Sequence, residues 1–116
     1  MAEIKRIKPI ILRFEDGREY TLEFNRESVR FAEARGFDIN DLGKFPMTKL
    51  PELFFYAFRM HHMNVSRAET DRILFDELGG LPDGMAERLG ELYGAPFQAL
   101  SGGNGDEKNG RVTVEM

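Results

Sequence analysis

Residues 9–24 read "PIILRFEDGREYTLEF", two short apolar alternations around Asp-Gly. Ile10, Leu12 and Phe14 alternate with Ile11 and Arg13, and Tyr20, Leu22 and Phe24 alternate with Thr21 and Glu23. Period two on both arms is the signature of paired strands with one covered face. Parity selects the turn. A two-residue Asp-Gly turn pairs Leu12 with Thr21 and sends the two apolar sets to opposite faces. A three-residue loop over Glu15, Asp16 and Gly17 pairs Leu12 with Tyr20 and Ile10 with Leu22, so that both sets share a face. Gly17 then occupies the left-handed position that such a loop requires. An isolated hairpin is marginal in water, so its apolar face must dock on the rest of the chain.

The rest of the chain is helical in pattern. Asn25 is a good cap for a helix over "RESVRFAEAR", which Gly36 ends, with Phe37 folding back. "FDINDLGKFP" reads as a connector with one helical turn. Thr48 is the expected start of a second helix, with Pro51 tolerated in its first turn. Leu50, Leu53, Phe54, Phe55, Tyr56, Ala57, Phe58 and Met60 wrap most of its circumference, which predicts a buried central helix. "SRAE" at Ser66–Glu69 is a capping box opening a third helix, lined by Leu74, Phe75 and Leu78 and ending at Gly79-Gly80. Asp83 is the expected cap of a fourth, in which Met85, Leu89, Leu92, Tyr93, Pro96 and Leu100 fall at helical spacing, with a kink or new turn at Pro96. The fold class is α+β: an N-terminal antiparallel hairpin on a cluster of about four helices, one domain over residues 1–100. "SGGNGDEKNG" reads as a flexible polar tail over residues 101–116, and "RVTVEM" as a lone strand if an edge is offered to it.

The chain of 116 residues fits a single domain, and its ten Phe and three Tyr supply bulky core material. A net charge of −4 argues against nucleic acid as a partner, because phosphate binding needs a basic footprint. Without cysteine, disulfides and thiolate zinc sites are excluded. The N-terminus lacks a signal-peptide pattern, and no apolar run approaches membrane-spanning length.

Sites of chemistry are scarce. His61 and His62 are the only histidines. Neighbours on a helix point about 100° apart, so the two cannot easily share a metal ion. Ala57, Phe58, Val65 and Ser66, at the spacings of three and four that metal-binding helices use, are not strong ligands. One histidine is expected to point inward and bond to backbone, the other to be exposed. "NGDEKNGRVTVE" fails the calcium-loop pattern in either frame, and "GGLPDG" lacks the Gly-Lys-Ser/Thr of a phosphate loop. No catalytic residue, cofactor or metal ligand is assigned. The fourth helix carries a small-residue ridge, Ala86, Gly90 and Gly94, beside its apolar stripe. Interior glycines cost helix stability, so the ridge suggests close approach of another backbone. Met85, Leu89, Gly90, Leu92, Tyr93 and Gly94 are therefore the expected partner-binding surface, for a second subunit or an apolar segment of another protein.

The segments "EYTLEFNRESV", "GFDINDLGKFPMTKLPELFFYAFRMHH" and "ELYGAPFQAL" resemble, in that order, a small family encoded by phages and prophages of Gram-positive bacteria. The most specific part is Pro46–Thr48 with the Leu/Phe-rich helix ending at His61-His62. Size and pattern resemble those of phage tail assembly chaperones. The resemblance implies a non-enzymatic protein of the host cytoplasm that binds the tape-measure protein or other tail proteins, with no nucleic acid or membrane partner. A minor tail or connector subunit of the virion is the alternative.

Overall fold

The computed structural model describes residues 7–101. Strands β1 (Ile10–Arg13) and β2 (Glu19–Leu22) form an antiparallel hairpin in which Leu12 faces Tyr20 and Ile10 faces Leu22, the register that parity selects. The loop closes through Phe14 N–H to the Arg18 carbonyl (2.9 Å) and Gly17 N–H to the Phe14 carbonyl (3.0 Å). Asp16 accepts from the Arg18 backbone N–H at 3.0 Å, and this bond above all holds its carboxyl below the usual range. Gly17 has φ +96°, and a Cβ there would meet nothing within 4 Å. The cost of a side chain is therefore backbone strain alone. Gly17→Val is expected to lose about 1–2 kcal/mol, read as a lower urea midpoint; an unchanged midpoint would remove the left-handed requirement.

Helix α1 (Arg26–Ala34) opens with a reciprocal cap: Asn25 Oδ1 accepts from Ser28 N–H (2.8 Å), and Ser28 Oγ accepts from Asn25 N–H (2.9 Å). It ends in a Schellman turn, with Gly36 N–H on Glu33 O and Phe37 N–H on Ala32 O, which folds the Phe37 ring into the core. A single 3-10 turn, Ile39–Asp41, interrupts the connector. Helix α2 (Pro46–Phe58) starts two residues before Thr48. Pro46 suits the first helical position because its missing N–H has no partner there to lose, and Phe45 precedes it without a side-chain cap. Its buried Leu53, Phe54, Tyr56, Ala57 and Phe58 make α2 the central element, packed by α1, β2 and the later helices.

Helix α3 (Arg67–Arg72) begins with the expected Ser66–Glu69 capping box. It then widens into a π turn over Ile73–Glu77, closed by Leu78 N–H on Ile73 O at 2.8 Å. The added residue shifts the phase of the side chains. Ile73 and Leu74 are buried while Phe75, expected on the inner side, stands 54% exposed. Helix α4 (Met85–Ser101) is entered through Gly84, with φ +83°, and Arg88 N–H bonds to the Gly84 carbonyl, in place of a cap by Asp83. It runs through Pro96 as one helix.

A chain of ring contacts joins the layers: Phe24 to Tyr93 at 5.1 Å and Tyr93 to Phe37 at 5.5 Å, both edge-on, and Phe37 to Tyr56, tilted, at 5.5 Å between centroids. Burial pushes the Tyr93 phenol up to about 12. The expected tail and the "RVTVEM" strand lie outside the described residues.

Candidate functional site

The two histidines serve the hairpin. In β2 the Thr21 and Glu23 amides point away from β1, toward the end of α2. Thr21 N–H donates to His62 Nε2 at 2.9 Å, and Glu23 N–H donates to the Ala57 carbonyl at 3.0 Å. The end of α2 and the turn after it thus bond two amides along the outer side of β2 and its extension. His62 accepts, so its ring is neutral with the proton on Nδ1. It packs edge-on against Tyr20 (5.2 Å), and partial burial first, then the neighbouring His61, holds its pKa below 6.5. His61 turns outward to Glu23 Oε1 at 2.8 Å. The expectation of one inward ring bonded to backbone and one exposed ring holds. The backbone group met is a strand amide, because α2 ends at the sheet edge. The two Nε2 atoms face different partners. Among the described residues, no group of three or more His, Cys, Asp or Glu is placed to hold a metal ion.

The hairpin turn is fixed at its other end. The Arg18 guanidinium reaches Glu77 in the π turn, bonds Asp16 at 2.8 Å and lies 4.4 Å above the Phe14 ring. The bond to Arg18 lowers the Glu77 carboxyl pKa, and Arg72 adds a contact at 3.2 Å.

The α4 stripe is core. Met85, Leu89, Leu92 and Tyr93 are all buried, with Leu89 fully so, because α4 packs its apolar side onto α1 and α2. The four large residues of the expected partner-binding surface are thus buried within the folded chain. Gly90 and Gly94 do remain accessible, and a Cβ at either would meet nothing within 4 Å. The ridge is open, but the four large residues of the expected partner-binding set are not on offer beside it.

Outside α4, whose Phe97 is 38% exposed, apolar surface is exposed between α2 and the π turn. A groove of about 150 Å³ runs between the first turn of α2 (Pro46, Met47, Leu50, Pro51) and the π turn with the chain after it (Leu74, Phe75, Gly80, Leu81). Met47 is 87% exposed on its lip, Phe75 54%, and Phe45 beside it 57%. Periodicity hid this surface. Met47 lies before the expected helix start at Thr48 and Phe75 fits a helical stripe; the earlier start of α2 and the π turn bring them to one surface. A broader, mixed trough of about 580 Å³ lies between α1 and the end of α2, beside Phe31, Met60 and Met63. Among its polar groups Asn25 and Ser28 cap each other, Arg30 lies 3.8 Å from Glu27, and the Arg59 guanidinium lies 3.8 Å from the Phe31 ring centre.

Hairpin, buried central helix and helical cluster define a small α+β protein. The chain belongs to the family described as Domain of unknown function (DUF5055), which it matches over residues 1–116. No curated protein and no solved structure matches it. Among the described residues, no helix is long and apolar enough to cross a membrane.

Proposed function

We propose that the protein is a non-enzymatic binding module that holds an apolar segment of a partner protein in the Met47–Phe75 groove. The observation that carries this reading is the exposure of Met47 and Phe75 around one apolar depression. The groove is smaller than the 300–1,000 Å³ usual for small-molecule sites, and it suits an anchoring side chain of a docked helix. Methionine on the lip repacks easily around different apolar shapes. The resemblance drawn from the sequence is most specific at Pro46–Thr48, which forms one lip. It makes the phage tape-measure protein the partner to test, and a chaperone of tail assembly the role. The alternative of a minor tail or connector subunit uses the same surface for a permanent contact.

The test is capture of co-expressed tape-measure protein by the wild-type chain, Met47→Asp and Phe75→Asp. Both residues are exposed, so the fold should survive the charge. Each buried Phe or Met contributes about 1.5–3 kcal/mol to an apolar contact, so each variant should weaken capture by roughly 10- to 100-fold. Wild-type capture by both folded variants would rule out the groove. Mass spectrometry of mature virions separates the two roles, since a chaperone is absent from the finished particle and a structural subunit is retained.

A further inference from the structure

The π turn spans Ile73–Glu77, and its own residues include no proline or glycine to break the α-helical period. An α register would set Glu77 one turn beyond Ile73, on the side that buries Ile73. The π turn gives that place to half-buried Leu78, whose N–H bonds the Ile73 carbonyl, and Gly80 N–H bonds the Leu74 carbonyl, both at 2.8 Å. Glu77 is left to meet the hairpin. The Arg18 guanidinium engages it fork to fork, Nη2 on Oε1, and Nη1 on Oε2 at 3.2 Å. Arg18 is itself held in place: its Nε donates to Asp16 at 2.8 Å, and its guanidinium lies over the Phe14 ring.

We propose that Arg18 is a positioning residue for the Met47–Phe75 groove: through Glu77 it holds the π turn, and the π turn sets Leu74 and Phe75 as one wall. This role rests on the reading of the groove as the docking site. Arg18 is not among the groove's lining residues, whereas Leu74, Phe75, Gly80 and Leu81, on either side of Glu77 in the chain, are. The hairpin also grips the helix of the opposite wall, through Thr21 N–H on His62 and Glu23 N–H on the Ala57 carbonyl of α2. One hairpin is thus bonded to both of the elements between which the groove lies. A change at its loop reaches the binding surface without touching the partner. The Arg18–Glu77 pair is partly exposed, so its hold is modest and weakens with salt.

The experiment is residue-resolved amide hydrogen exchange on the full-length wild type, Arg18→Met, Glu77→Met and the double variant. Capture of co-expressed tape-measure protein is measured on Arg18→Met, on Phe75→Asp and on the two combined. Methionine at position 18 keeps an apolar stem for the Phe14 ring and removes the fork. In Arg18→Met the Leu78 and Gly80 amides should exchange roughly two- to fivefold faster than in the wild type, while the Thr70 amide, bonded to the Ser66 carbonyl at the start of α3, keeps its rate. The double variant should be no faster than Glu77→Met, because Arg18 acts through Glu77. Capture by Arg18→Met should weaken by a similar factor, with no further loss when Phe75→Asp is already present. Unchanged Leu78 and Gly80 rates in Arg18→Met would overturn the proposal, as would equal acceleration of Thr70 or added acceleration in the Glu77→Met background. Faster exchange with wild-type capture by Arg18→Met, where Phe75→Asp loses capture, also overturns the positioning role. Wild-type capture by Phe75→Asp as well strikes the groove reading instead, and the exchange rates, which need no partner, then still decide the hold of Arg18 on the π turn.

Discussion

Replacing Leu89 by alanine should cost about 2–5 kcal/mol, the range for a fully buried leucine whose cavity cannot collapse. Replacing its neighbour Gly90 by alanine should raise stability by about 0.5–1 kcal/mol. Leu89 has no exposed surface, on the face of α4 that also buries Leu92 and Tyr93. Gly90 is one residue round the helix, where a Cβ would enter open space. A domain of this size has roughly 5–15 kcal/mol of stability in total, so Leu89→Ala should leave a visibly unfolding protein at ordinary temperature. Urea denaturation of both variants measures the contrast. A loss below about 1 kcal/mol for Leu89→Ala would mean that α4 is not a structural helix and that its stripe is free to bind. The same pair bears on docking. If folded Gly90→Leu loses tape-measure capture while Met47→Asp keeps it, the open ridge of α4, and not the groove, is the contact surface.

The elements legible in the sequence are those set by local chemistry. Parity across Glu15-Asp16-Gly17 specifies the hairpin register because one shared apolar face leaves one option. Asn25, Gly36 and the Ser66–Glu69 box mark helix ends through bonds made within a few residues. The features that were not legible depend on how elements meet. The Met85-Leu89-Leu92-Tyr93 stripe reads the same whether it faces a partner or the protein's own interior; only its packing onto α1 and α2, with Phe24 and Phe37 around Tyr93, decides. The π turn that exposes Phe75 is invisible to a 3.6-residue periodicity, since its effect is to break that period. His62 is similar: adjacency to His61 argued against a shared metal, but its acceptor role at a strand amide forty-one positions earlier requires the tertiary fold.

That contact predicts how the protein responds to acid. The Thr21 N–H needs a lone pair on His62 Nε2, and protonation of the ring removes it. The folded pKa of His62 lies below 6.5, first because the ring is partly buried and second because His61 adjoins it. Proton counting gives the sign. Well above 6.5 both folded and unfolded chains hold the ring neutral, and the stabilising contribution is complete. As pH falls below 6.5 the unfolded chain takes up a proton that the folded chain resists, so stability declines by up to about 1.4 kcal/mol per pH unit. Once pH has passed below the folded value, the contribution is gone. His62→Gln keeps an acceptor oxygen for Thr21 without titrating, so its stability should fall less with acid than that of the wild type over this window. His62→Ala removes the acceptor at every pH and should cost about 1–3 kcal/mol even at neutral pH. Urea midpoints of the three proteins across the window supply the measurement, with the carboxylates common to all three cancelling in the comparison. If the wild type and His62→Gln decline in parallel as pH falls, His62 is not the acid-sensitive latch on the β2 edge; if His62→Ala matches the wild type at neutral pH, water satisfies Thr21 as well as the imidazole does.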